Sequence, residues 1–197
     1  MKFEKVPQAE LPTRQGNFTV FGFRDADSGE EAVALVAGKF PSEKAVLVRV
    51  HSQCLTGDVF KSNRCDCGDQ LQEALRLIAE AGEGILIYQQ QEGRGIGLIN
   101  KIHAYELQDQ GLDTVSANEH LGFEPDLRDY QLPAEILKYL GVKRVRLLSN
   151  NPDKMCGLEK EGIRVEERVP LEISPNISTH DYLKVKKEKL GHLLSKV

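Results

Sequence analysis

Apolar positions fall into two regimes along this chain. Through residue 45 they sit in short runs between turn residues. FTVFGFR (18–24) and EAVALVAG (31–38) flank the acidic, Gly-containing DADSGE, a pattern that predicts a β-hairpin. From residue 45 onward, apolar runs of strand length alternate with segments of helical period. AVLVRVHS (45–52) is β-branched and apolar almost throughout, hence a buried strand. Leu71, Ala74, Leu75 and Ile78 recur at helical spacing, so 70–81 reads as a helix that Gly82 stops. GILIYQ (84–89) is the next buried strand. Beyond QEGRGIG, the spacing of Leu98, Ile102 and Tyr105 predicts the inward face of a helix ending near Gly111. A helix at 133–140, a strand at RVRLLS (144–149), a helix opened by SNNPDK, and a strand at IRVEERVP (163–170) follow. The Lys-rich segment from His180 to Ser195 predicts a terminal amphipathic helix with its basic face in solvent.

Strands alternating with helices predict an α/β sheet covered on both faces, in one domain over 1–197 with a β-rich N-terminal portion. In such sheets ligands collect beyond the carboxyl ends of strands. HSQC, QEGRG and SNNPDK each follow a strand-like run.

Composition changes this picture little. Apolar residues make up 40% and charged residues 28%, which fits a soluble globular protein. A net charge of -4 argues against a general nucleic-acid binder. No run has the length of a membrane span, and MKFEKVPQAELP lacks the apolar core of a signal peptide, so a cytoplasmic protein is expected. Three of the four cysteines, Cys54, Cys65 and Cys67, cluster on one stretch, which suits metal binding in a reducing compartment better than a disulfide framework.

Three thiolates fit a tetrahedral Zn²⁺. A catalytic site keeps its fourth position for a water whose pKa the metal lowers; a structural site closes it with a protein ligand, for which His51, Asp66 and Cys156 are candidates. Gly93, Gly95 and Gly97 around Arg94 describe either an anion-binding loop or a tight turn without a ligand. Asn151 reads as a helix cap before Pro152. Lys154 is then in the first turn, at a phosphate site or simply in solvent. Asp126 and Arg128 would share a face of an extended segment, a carboxylate base beside a cationic clamp or a solvated charged loop. His51 could orient the metal loop, while His120, His180 and His192 read as surface residues.

RVHSQCLTGD, RCDCGDQL, QEGRGIGL, NKIHAYELQDQGLDT and SNNPDK, in this order, resemble GTP cyclohydrolase II from about Leu11 to the C-terminus. The resemblance implies a three-layer α/β/α core with a mixed sheet, and a homodimer acting on GTP, without nucleic-acid or membrane partners. It implies conversion of GTP to a diaminopyrimidine ribosyl 5′-phosphate, formate and pyrophosphate, at the start of the riboflavin pathway. One Zn²⁺ per subunit on Cys54, Cys65 and Cys67 is implied, with Mg²⁺ on the GTP phosphates. By the same resemblance Tyr105, Asp126 and Arg128 are catalytic. Arg49, Val50, His51, Ser52, Gln53, Gln70, Glu92, Gly93, Arg94, Thr114, Ser149 and Lys154 hold the nucleotide. The chain departs from the family pattern at Gln53, where a glutamate is usual, at Gln90 and His103, where arginines are usual, and mildly at Ser149. Loss of one charge of each sign predicts that Gln53 and Gln90 are partners at the ends of neighbouring strands, replacing an ion pair. Two other readings are a paralogue that only opens the ring or takes another nucleotide, and a catalytically reduced nucleotide-binding protein.

Overall fold

The structure is a computed structural model describing residues 2–41, 44–124, 126–175 and 179–197. The chain divides into two compact units. The first comprises Met1–His51, Leu71–Gln90 and Asp129–Leu171; the second comprises Ser52–Gln70, Gln91–Arg128 and Glu172–Val197.

The first unit is built on a seven-stranded mixed sheet: β1 (Gln8–Pro12), β2 (Asn17–Arg24), β3 (Glu31–Ala37), β4 (Val46–Ser52), β5 (Gly84–Gln89), β6 (Arg144–Leu148) and β7 (Arg164–Val169), in the order β1-β2-β3-β5-β4-β6-β7. The expected hairpin is present, with Phe23 opposite Ala32 and Thr19 opposite Val36. β4, β6 and β7 run parallel, whereas β3 and β5 pair antiparallel.

Side chains alternate between the two faces, as the strand period requires. Val46, Val48, Val50, Ile85, Ile87, Val145 and Leu147 point to a core shared with Leu132, Ile136 and Leu137 of α5 (Gln131–Tyr139) and Leu158 of α6 (Pro152–Lys160). Leu47, Leu86 and Leu148 face the opposite way, onto Ala74, Leu75 and Ile78 of α2 (Cys67–Ala81). Helices on both faces make the three-layer arrangement. The apolar stripe of α2 is the one read from its spacing, but the helix begins three residues earlier, at Cys67 itself.

α6 starts as expected. Asn151 caps it by accepting from the Asp153 amide at 3.0 Å, and Pro152 occupies the first turn. Its mid-helix glycine has a packing cause, because a Cβ on Gly157 would lie 2.2 Å from Cδ2 of the Tyr130 ring. Lys154 is not solvated: it is buried, and its Nζ donates to the Val50 carbonyl at 2.6 Å. Arg49 is buried too, donating to the Leu148 carbonyl at 2.9 Å. His51 lies face to face with Tyr88, ring centroids 5.4 Å apart. Ser149 Oγ accepts from the Asn151 amide at 3.0 Å. Gln90 follows β5 and is exposed, so the desolvation argument for a buried partner does not apply to it.

The second unit is helical. Its elements are α1 (Leu55–Asp58), the start of α2, a 3-10 turn at Glu92–Gly95, α3 (Leu98–Asp109), α4 (Thr114–His120) and α7 (His180–Leu190). The terminal helix is shorter than expected, because Gly191 adopts a left-handed conformation (φ 63°) that ends it.

Candidate active site

The second unit contains the loop from Cys54 to Cys67. The Cys54 amide donates to Oδ2 of Asp58 at 2.9 Å, closing the single turn of α1 and turning the Cys54 side chain inward. Two glycines let the loop fold onto itself. A Cβ on Gly57 would sit 2.9 Å from the Cys65 sulfur and 3.2 Å from that of Cys54. A Cβ on Gly68 would sit 2.2 Å from the Gly57 carbonyl oxygen. The three sulfurs of Cys54, Cys65 and Cys67 consequently lie within 4.8 Å of one another, and those of Cys54 and Cys65 are 3.7 Å apart. This group can hold a metal ion. Hydrogen bonds from Cys65 and Cys67 and the nearby Lys101 ammonium lower the Cys54 pKa, whereas the Cys65 thiol, hydrogen-bonded to Cys54, is pushed up to about 11.

Asp66, between two of the cysteines in the chain, is not part of that group. It accepts from Lys186 of α7 at 2.9 Å and from Gln70 at 2.5 Å. Burial would raise its pKa, and the Lys186 ammonium more than offsets this.

Lys101 of α3 reaches the sulfurs from another side. Its Nζ lies 3.1 Å from the Cys54 sulfur, 2.7 Å from Oε1 of Glu92 and 3.0 Å from Oγ1 of Thr56. Glu92 is buried and uses its other oxygen to accept from the Leu55 amide at 2.7 Å. The Tyr105 hydroxyl is 3.2 Å from Thr56 Oγ1, with the Arg64 guanidinium over its ring. Burial raises the Tyr105 pKa, so the phenol keeps its proton.

The glycine-rich turn shapes the next segment. Gly93, Arg94 and Gly95 all have positive φ (62°, 60° and 93°). A Cβ on Gly95 would meet Leu127 at 3.0 Å, and the Leu127 amide donates to the Arg94 carbonyl at 3.0 Å. That contact fixes Asp126 and Arg128 on either side. Arg128 donates from Nε to Asp126 Oδ1 at 2.8 Å and from Nη2 to Oδ2, a two-pronged pair with little solvent exposure. Burial would raise the Asp126 pKa, but Arg128 holds it below the usual carboxylate range.

The profile of the family described as GTP cyclohydrolase II matches residues 4–170. The chain belongs to the GTP cyclohydrolase II family. It is 57% identical over 189 residues to "GTP cyclohydrolase-2" of Tolumonas auensis, covering 96% of each chain. It is also 53% identical over 193 residues to "Riboflavin biosynthesis protein RibBA" of Endomicrobium trichonymphae, covering 98% of this chain and 48% of that one. The match to the RibBA of Aquifex aeolicus is 56% over 191 residues. The chain thus spans about half the length of the RibBA relatives and nearly all of GTP cyclohydrolase-2.

Within this GTP cyclohydrolase II fold, the predicted site residues are divided between the units. Arg49, Val50, His51, Ser149 and Lys154 belong to the sheet unit. Ser52, Gln53, the three cysteines, Gln70, Glu92, Gly93, Arg94, Tyr105, Thr114, Asp126 and Arg128 belong to the helical one. Thr114 is the first residue of α4, which Asp113 caps by accepting from the Val115 and Ser116 amides. Of the fourth-ligand candidates, Asp66 is engaged by Lys186 and Cys156 is exposed on α6 of the sheet unit. Sequence reasoning missed Lys101. The inward face of α3 was expected at Leu98, Ile102 and Tyr105, yet Ile102 is 48% exposed and the buried residues are Lys101 and Ala104. The available signal was a lysine one turn before Tyr105, on a helix that follows the glycine loop.

Proposed function

We propose that this chain is a zinc-dependent GTP cyclohydrolase II, converting GTP to 2,5-diamino-6-ribosylamino-4(3H)-pyrimidinone 5′-phosphate, formate and pyrophosphate in riboflavin biosynthesis. The observation that carries this reading is the set of three cysteine sulfurs gathered on one loop beside Tyr105. Tetrahedral Zn–S bonds of about 2.3 Å place sulfurs about 3.8 Å apart, and the Cys54–Cys65 separation is 3.7 Å. Zinc on Cys54, Cys65 and Cys67 would supply Lewis acidity for hydrolysing the imidazole C–N bonds of guanine.

The remaining steps belong to side chains of this chain. Tyr105, protonated in its buried position, donates a proton to the departing ring nitrogen. Arg128, kept cationic and oriented by Asp126, stabilises the phosphoryl transition state; a guanidinium nucleophile would need a pH above about 12. Asp126, matched to the proton acceptor of the family, has both oxygens on Arg128 and acts first by aiming it. Arg49, Val50, His51, Ser52, Gln53, Gln70, Glu92, Gly93, Arg94, Thr114, Ser149 and Lys154 bind GTP, with Mg²⁺ on its phosphates. The working protein is a cytoplasmic homodimer with one zinc per subunit, and residues 1–197 form a single GTP cyclohydrolase II-like domain.

Incubation with GTP, with formate and pyrophosphate assayed separately and zinc measured on the same sample, tests the proposal. Equal yields of both products from a protein carrying one zinc per chain are expected. Pyrophosphate without formate, or a product that retains the formyl group, would overturn it.

A further inference from the structure

Lys101 is a buried cation that no part of the proposed reaction uses. Its ammonium carries three N–H donors, and three acceptors lie within reach: the Cys54 sulfur at 3.1 Å, Thr56 Oγ1 at 3.0 Å and Glu92 Oε1 at 2.7 Å. Every donor is therefore assigned. The position is also fixed from behind. Glu92 is anchored on the Leu55 amide, the first residue of α1 after Cys54, and a Cβ on Gly93 would meet the Lys101 Cβ at 3.1 Å. Solvent competes little with these contacts, because the Lys101 side chain is 10% exposed and that of Glu92 8%.

The charge has a consequence for a metal held by the sulfurs. Three thiolates and a divalent ion sum to one negative charge. An ammonium hydrogen-bonded to one thiolate draws electron density from that sulfur, so the sulfur donates less to the ion. Groups that hydrogen-bond to ligands commonly tune a metal in this way. Lys101 touches only one of the three sulfurs among the described residues, so the effect is directed at the Cys54 bond.

We propose that Lys101 is a positioning residue of the metal centre, acting through the Cys54 thiolate to set the electrophilicity of the ion that Cys54, Cys65 and Cys67 hold; this rests on the metal reading above. Thr56 extends the arrangement, because the hydroxyl that accepts from Lys101 is also the partner of Tyr105. One ammonium thereby fixes both the sulfur and the hydroxyl that faces the phenol.

The test uses the full-length protein with Co²⁺ in place of zinc, in the wild type and in Lys101→Met, which keeps the stem and removes the charge. Because Lys101→Met leaves Glu92 buried without its cation, the double variant Lys101→Met/Glu92→Gln is measured beside it. The expected result is a shift of the thiolate-to-cobalt charge-transfer bands to lower energy in a variant that keeps one cobalt and tetrahedral ligand-field bands. With zinc, kcat of the single variant Lys101→Met should fall by about 10–100-fold while its KM for GTP changes little; the double variant serves for the cobalt spectra alone. Unmoved charge-transfer bands in a fully loaded variant would overturn the proposal. So would loss of cobalt from both variants, which would make the lysine purely architectural. A wild type that binds no metal in stoichiometric amount removes the metal reading itself, an outcome distinct from the other two.

Discussion

At the scale of residues, the contact with most to say about chemistry is the pairing of Arg128 with Asp126. It makes the two charges a single device. Arg128→Ala should suppress pyrophosphate release while leaving bound zinc untouched. Asp126→Asn should weaken the same step by loosening the fork. Pyrophosphate kinetics in both variants, with zinc content alongside, check this; an unchanged rate in Arg128→Ala removes the residue from the mechanism. The cysteines behave differently. Cys54→Ser, Cys65→Ser and Cys67→Ser are each expected to lose stoichiometric zinc and formate release, with circular dichroism reporting whether the fold survives. Gly57→Ala should lose metal as well, although it alters no ligand, because its methyl group would enter the space between two sulfurs. The cysteine cluster was legible in the sequence because three cysteines on one stretch have few other reasons to stand together, whereas the Asp126–Arg128 segment read equally well as a solvated charged loop until the family resemblance singled it out. Lys101 and Glu92 were not legible as a pair. A charged residue is read as solvated by default, and only tertiary contacts reveal that its charge is compensated.

At the scale of elements, α7 shows how a plain pattern can mislead. Its lysines predicted a solvated basic face. Lys184, Lys187 and Lys189 are exposed as expected, Lys189 pairing with Asp113 at the start of α4, but Lys186 is withdrawn from solvent, lying over the Tyr182 ring and pairing with Asp66. This helix lies beyond residue 170, where the family profile ends, yet it holds the residue between two of the cysteines. Lys186→Met should destabilise the protein by about 3–5 kcal/mol, as removal of one member of a buried ion pair does. Lys186→Met/Asp66→Asn should recover part of that loss in thermal melts.

Acid should act on the same region. Burial and the Lys186, Arg128 and Arg94 charges lower the His192 pKa to about 3, and the Lys189 hydrogen bond lowers that of Asp113 to about 2. Both folded values lie below the unfolded ones, so each contribution is complete above the group's unfolded pKa, about 6.5 for His192 and about 4 for Asp113, and is lost as pH falls. For His192 the loss spans the window from about 6.5 down to about 3. His192→Gln should therefore flatten the fall in melting temperature between pH 7 and 5. The strands β4 and β5 were easier to read than α7, since an apolar run of strand length has one economical use in an α/β sheet, whereas a lysine-rich helix leaves its partner unspecified.

At the scale of the molecule, apolar burial is unevenly shared. Among the described residues, both hydrophobic cores lie in the sheet unit. In the helical unit, Cys54, Cys65, Ile96, Ala104, Ala117 and Leu183 are the buried apolar side chains among the described residues. That unit contains the little-exposed Lys101–Glu92, Lys186–Asp66 and Arg128–Asp126 pairs, and on the present reading zinc. Chelation of zinc should accordingly speed amide hydrogen exchange across 52–70, 91–128 and 172–197, while β3, β4 and β5 keep their protection. Uniform loss of protection over both units would contradict this. The two units interleave along the sequence, three stretches of each. Seen as heredity rather than mechanics, this interleaving ties the cysteine loop to its sheet. A genetic crossover inside the chain would separate stretches that belong to one unit, so the cysteine loop is inherited together with strands that precede and follow it. Relatives of matching length and relatives twice as long both align with this chain over 96–98% of its residues.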